Sequence, residues 1–175
     1  LAWSAILPQA RRSVRAGVHL VYGCYGTLLL GVMGMITWIG CALLPLPDWA
    51  WAYSRLVSRT FLWLLGMPPT VRGLENFPAH PCMIVVNHAS YLDGAVLVAA
   101  LKEPRTFVAK GELQGHWVPR TFLKAMGAAY VDRMDAQRSV EDTKQFVELT
   151  RSGKSLVVFA EGTLRRMPGV LPFRM

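Results

Sequence analysis

The chain has 175 residues, 53% hydrophobic and 17% charged, where an ordinary soluble domain carries roughly 25% charged residues. That balance excludes a disordered chain, and 15 Gly with 11 Pro exclude collagen-like or low-complexity material. A net charge of +8 favours an anionic partner: nucleic acid, a phosphate-bearing substrate or an anionic membrane face.

The charge is unevenly spread. Residues 1–72 hold six basic residues and one acid, whereas residues 73–175 hold thirteen basic and ten acidic ones. The basic excess therefore surrounds an apolar segment, which argues against a nucleic-acid partner. Residues 1–67 read as a basic flank and a membrane part, and residues 68–175 as a globular domain. The chain starts at Leu1 and stops at Met175 just after a Pro-Gly turn, so the expectation is a fragment truncated at its C-terminus. Cys24, Cys41 and Cys82 lie in apolar runs without a C-x-x-C pair, as expected in a reducing compartment.

Residues 18–44 contain no Asp, Glu, Lys or Arg. As a helix rising ~1.5 Å per residue they would extend about 40 Å, more than a bilayer core of about 30 Å needs. The run is too long for a signal peptide and lacks a small-residue cleavage site. Arg11, Arg12 and Arg15 should keep the N-terminus cytoplasmic. A turn at Leu46-Pro47-Asp48 leads into a second helical pattern over residues 49–65. Trp49, Tyr53, Leu56, Thr60 and Trp63 form one stripe of it, with Arg55 and Arg59 four apart on a neighbouring stripe. Those arginines would be costly inside hydrocarbon, roughly 2.5–3.5 kcal/mol each at a helix centre. A monotopic helical hairpin avoids that cost, with N-terminus and globular domain both on the cytoplasmic face. A single crossing followed by an interfacial helix is the alternative.

After Met67-Pro68-Pro69 the pattern alternates. Strands are expected over residues 82–86, 106–109, 128–131 and 155–159, and helices over 91–101, 118–126 and 139–151. The last helix would put Val140, Thr143, Val147 and Thr150 on one face and end at Gly153. Alternation of this kind predicts an α/β sandwich with functional residues at strand ends.

The sharpest chemistry is Asn87-His88-Ala89-Ser90-Tyr91-Leu92-Asp93. A buried strand ends in His88, and Asp93 follows five residues on, after Ser90, a helix N-cap candidate. Such a corner can turn both side chains to one side. The carboxylate then holds one imidazole nitrogen and leaves the other as general base for a substrate hydroxyl. The bland alternative is that His88 caps the helix and Asp93 is a surface carboxylate. Two further strands end in basic segments, at Arg133 and at Arg165-Arg166, and guanidinium forks suit phosphate. Surface pairing of Arg133 with Asp132 or Asp135, and a solvated run at Arg165-Arg166, are the alternatives there.

Taken together these segments resemble the glycerolipid acyltransferase family, which includes the bacterial lysophosphatidic acid acyltransferases. Its first block, Asn-His-x-Ser-x-x-Asp, is matched by Asn87, His88, Ser90 and Asp93. Its second, Gly-x-x-aromatic-aliphatic-x-Arg, is matched by Gly127, Tyr130, Val131 and Arg133. Its third, Phe-Pro-Glu-Gly-Thr-Arg, is matched by Phe159, Glu161, Gly162 and Thr163, with Ala160 in place of Pro and Leu164 in place of Arg. Lys110 to Leu113 resembles the basic patch between the first two blocks. The fourth, Pro-containing block is not evident before Met175.

The resemblance implies that His88 is the general base and Asp93 its orienter. Arg133, Glu161, Gly162 and Thr163 would bind the acceptor's phosphate and glycerol, with Lys110 and Arg165 as weaker candidates. An acyl chain would pass from a coenzyme A or acyl-carrier-protein thioester to the hydroxyl of lysophosphatidic acid in phospholipid biosynthesis. A thioester is electrophilic enough to need no metal or other cofactor. The implied partners are the lysophospholipid, the acyl thioester, the phospholipid membrane and an acyl carrier protein. Rival readings are another acceptor (lysophosphatidylethanolamine or glycerol 3-phosphate), an acyltransferase domain fused to an acyl-activating ligase, a metal-dependent hydrolase, and a catalytically inactive lipid-binding module.

Overall fold

The structure, a computed structural model, describes residues 3–131 and 136–161. Helix α1 (Trp3–Leu43) and helix α2 (Pro47–Leu64) are followed by a 3₁₀ turn at Leu74–Asn76. Then come β1 (Met83–Val86), α3 (Asp93–Ala100), β2 (Thr106–Lys110), a 3₁₀ segment at Gly111–Gly115 and α4 (Trp117–Ala125). β3 (Ala129–Val131), α5 (Ala136–Arg151) and β4 (Leu156–Phe159) complete the order. Every expected element is present within a few residues of its expected ends, except that α1 starts fifteen residues before the apolar run.

The four strands form one parallel sheet in the order β1-β4-β2-β3. Ile84, Val86, Phe107 and Val157 share one face, against which Val98 and Leu101 of α3 and its C-cap and Phe122 and Ala125 of α4 pack. The step from β3 back to β4 reverses the direction of travel through the sheet, and right-handed crossovers then carry α5 over the opposite face. Of the expected α5 stripe, Thr150 is turned inward, Thr143 and Val147 are not, and the Val140 side chain lies outside those described. Val147 is exposed, whereas Phe146, Leu149 and Thr150 are half-buried; the two larger apolar side chains bury more surface. Gly153 holds φ 92 at the helix end, the left-handed conformation expected of a C-terminal glycine.

α1 and α2 form an antiparallel hairpin. Tyr22 and Tyr25 of α1 donate to the carbonyls of Leu65 and Leu64 at 2.8 and 3.0 Å, which would otherwise be left open where α2 ends. Tyr53 of α2 donates to the Ile36 carbonyl at 2.9 Å. Gly40 makes this closeness possible, since a methyl group there would overlap the Tyr53 ring.

The face of α2 turned inward carries Ala50, Trp51, Ser54, Val57, Phe61 and Leu62. Trp49, Leu56 and Trp63 of the stripe read from the sequence are exposed. One hydrophobic cluster joins Cys41, Ala50 and Trp51 to Val98, Leu101, Met126 and Val157, so the hairpin and the sheet share a core. Arg55 is half-buried and Arg59 exposed, and both guanidinium groups reach α3. Arg55 Nε donates to the Leu101 carbonyl at 3.1 Å and Arg59 to that of Ala99 at 3.4 Å, at the C-terminal end of α3, where cations are favoured.

Among the described residues, α1 is the one helix long and apolar enough over Arg12–Leu43 to cross a membrane. Val21, Leu28, Val32, Met35, Ile39 and Leu43 are all exposed, and their spacing of seven, four and three residues puts them on one outward stripe.

Candidate active site

Strand register brings the chemistry to one edge of the sheet. Val86 pairs with Phe159, Phe107 with Val157 and Lys110 with Val131. His88 lies two residues beyond β1 and Glu161 two residues beyond β4, while Lys110 is the last residue of β2. All three therefore belong to the carboxyl edge of the strands. Arg133, Gly162, Thr163 and Arg165 lie outside the described residues.

The β1–α3 corner is built around one oxygen. Asp93, the first residue of α3, accepts at Oδ2 from His88 Nδ1 at 2.9 Å and from the backbone N–H groups of Ala89 and Ser90 at 2.8 and 2.9 Å. The Ser90 hydroxyl in turn accepts from the Leu92 N–H at 3.1 Å. The helix N-cap is Leu92, so Ser90 holds the preceding turn rather than capping α3 itself. A carboxylate oxygen can only accept, so Nδ1 is the donor, and in the neutral ring Nε2 is then the nitrogen with the lone pair. The His88 and Asp93 side chains are 24% and 23% exposed, open enough to meet a ligand.

The imidazole plane is fixed as well. Phe159 stacks on His88 with centroids 4.2 Å apart and planes 28° apart. Phe107 continues the stack at 6.4 Å, and Trp51 of α2 lies 6.1 Å beyond it. Asp93 thus sets the rotation of the ring in its plane and Phe159 sets the plane. This role of Phe159 is not evident from the chain alone, because it depends on β4 lying next to β1. Glu161 is 2% exposed, a buried carboxylate at the edge of the site, whereas Lys110 is exposed. Burial pushes the Tyr130 phenol above its usual range, with Arg120 drawing it partly back. Among the described residues, no group of three or more His, Cys, Asp or Glu is arranged to hold a metal ion.

Residues 68–175 match the family model described as Acyltransferase. The chain belongs to the acyltransferase family. It is 34% identical over 114 residues to a probable 1-acyl-sn-glycerol-3-phosphate acyltransferase of Mycoplasma pneumoniae, covering 62% of this chain and 42% of that one. It is 28% identical over 154 residues to the 1-acyl-sn-glycerol-3-phosphate acyltransferase of Cocos nucifera, covering 79% and 47%. A lyso-ornithine lipid O-acyltransferase of Brucella abortus is 32% identical over 122 residues, with 70% and 43% covered. The chain spans about half the length of these curated relatives. In fold it resembles the crystal structure of the 1-acyl-sn-glycerophosphate acyltransferase PlsC from Thermotoga maritima, with a TM-score of 0.59 at 21% identity, covering 93% of this chain and 67% of that one.

Proposed function

We propose that this acyltransferase-family chain carries the catalytic centre of a membrane-associated enzyme that transfers a fatty acyl group from a coenzyme A or acyl-carrier-protein thioester to the free hydroxyl of lysophosphatidic acid. The observation that carries the reading is the His88–Asp93 pair, with Nδ1 held at 2.9 Å and Nε2 without a hydrogen-bond partner among the described residues. His88 Nε2 takes the proton of the acceptor hydroxyl as its oxygen attacks the thioester carbonyl. A C–O bond forms, the tetrahedral intermediate collapses, the C–S bond breaks, and the imidazolium returns the proton to the leaving thiolate. Asp93 steadies the imidazolium while it exists. No protein nucleophile is needed, because the acceptor supplies its own.

The acceptor's phosphate and glycerol are assigned to Arg133, Glu161, Gly162 and Thr163, with Lys110 and Arg165 as further cationic contacts. Glu161, acceptor-only when ionised, suits a glycerol hydroxyl rather than the phosphate. The chemistry runs on the protein's own acid–base groups and the thioester's reactivity, without a metal or other cofactor. Membrane association is supported by the outward apolar stripe of α1. Because α2 flanks α1 along much of its length and α3 backs α2, the hairpin suits a position along one leaflet better than a perpendicular crossing. Arg11, Arg12 and Arg15 favour the cytoplasmic face. The Brucella relative's name supports a second acceptor class, a lyso-lipid whose free hydroxyl is on an ornithine lipid.

The test is His88→Ala in membranes supplied with acyl-CoA and a panel of lyso-acceptors, read by mass spectrometry of the lipids formed. Wild type should acylate lysophosphatidic acid preferentially, and the variant should lose roughly 10²–10⁴-fold in rate, the contribution of a positioned base. Unchanged transfer by the variant would overturn the mechanism, and preference for another lyso-lipid would reassign the acceptor.

A further inference from the structure

A second cleft is lined by none of His88, Asp93, Lys110 and Glu161. It lies between α4 and the elbow that joins α1 to α2, has a volume of about 530 Å³, and is lined by Cys41 at the end of α1, by Leu44 and Leu46 of the elbow and by Trp117, Arg120 and Lys124 of α4. Positions 117, 120 and 124 are three and four residues apart and so share one helix face. Arg120 and Lys124 are exposed, and neither is paired with a carboxylate among the described residues; the ion pairs found there are His88–Asp93 and Arg105–Glu103. Two like charges one turn apart repel each other and are relieved by an anion.

The surroundings say which anion. The elbow side of the cleft is apolar, and Trp117, 68% exposed, sits edge-on to Trp38 of α1 with centroids 5.0 Å apart. Leu43, Leu46 and Trp49 around the elbow are exposed as well. The outward stripe of α1 ends at Leu43, and the exposed Leu46, three residues on, lines the cleft and links the two. Tryptophan at the rim, aliphatic side chains beside it and cations alongside are the composition that settles at headgroup level. A free inorganic anion would gain nothing from the apolar wall.

We propose that this cleft binds the phosphate headgroup of an anionic phospholipid, separately from the acceptor site, and gives the protein a preference for negatively charged bilayers. The proposal rests on the membrane half of the function above, and the test separates the two. The full chain and an Arg120→Gln/Lys124→Gln variant are co-sedimented with phosphatidylcholine vesicles and with vesicles of phosphatidylcholine mixed with phosphatidylglycerol. Wild type should bind both and bind the mixed vesicles more tightly. The variant should bind neutral vesicles equally and lose about 5- to 30-fold of partition onto the mixed ones, the worth of two cations at such a surface. Its acyl transfer in neutral detergent micelles should be unchanged, which checks that it is folded. An Arg120→Glu/Lys124→Glu variant should go further and prefer the neutral vesicles. Equal preference of variant and wild type for mixed vesicles would overturn the cleft alone, and so would displacement of wild type by inorganic phosphate at matched ionic strength. Failure of wild type to bind either vesicle would overturn the membrane half of the function and the cleft with it.

Discussion

Replacing Asp93 by Asn separates two things the carboxylate does, because all three of its donors converge on Oδ2. An Asn carbonyl in the same place can still accept from His88 Nδ1, Ala89 and Ser90, so the ring keeps its tautomer and direction. What is lost is charge. Hydrogen bonds to charged groups contribute about 1.5–3 kcal/mol, against about 0.5–1.5 kcal/mol for neutral ones. The weaker hold on the imidazolium therefore costs ~1–2 kcal/mol, or roughly 5- to 30-fold in rate at about 1.4 kcal/mol per tenfold. Asp93→Ala removes the orientation too. It leaves two backbone N–H groups to water and frees Nδ1, and its rate should fall close to that of His88→Ala. Initial rates with lysophosphatidic acid and acyl-CoA in detergent micelles give kcat and KM for each variant. The expected ranking is wild type, then Asn, then Ala, with the loss in kcat. An Asn variant no more active than the Ala variant would refute the argument that convergence on one oxygen preserves the tautomer.

Two other substitutions follow from the same geometry. Phe159→Leu keeps an apolar side chain but removes the ring face under His88. With an aromatic contact worth about 0.5–1.5 kcal/mol, kcat should fall roughly 2- to 12-fold at constant KM and recover in Phe159→Tyr; a Leu variant with wild-type kcat would dismiss the positioning role. Arg55→Gln with Arg59→Gln removes the donors to the Leu101 and Ala99 carbonyls. At about 1 kcal/mol per hydrogen bond, the melting midpoint in detergent should drop by roughly 4–8 °C, and an unshifted midpoint would mean that the guanidinium groups do not tie α2 to α3.

The strands and the His–Asp corner were legible because short β-branched runs ended in chemistry-bearing residues, a pattern local to the chain. Register was not. Placing β4 between β1 and β2 is a decision of the crossovers, and it is what brings Phe159 beneath an imidazole 71 positions earlier. The arginines of α2 were read against a bilayer because hydropathy knows nothing of Ala99 and Leu101, which are 40 and 46 residues away. Helical stripes were ambiguous for a different reason. α2 is apolar on two sides, with Trp49 and Trp63 on one and Trp51 and Phe61 on the other. Spacing alone does not choose between them; tertiary packing buries the second pair.

The joint cluster of Cys41, Trp51, Leu101 and Val157 has a practical meaning for anyone wishing to handle this protein in plain buffer. Trimming the first 67 residues would not liberate a smaller water-loving catalyst; it would strip a lid from an oil drop and expose Val98, Met126 and their neighbours. The workable route is to repaint the outer side of α1 with polar side chains and leave its inner side alone. Hairpin and sheet have to be inherited as one piece.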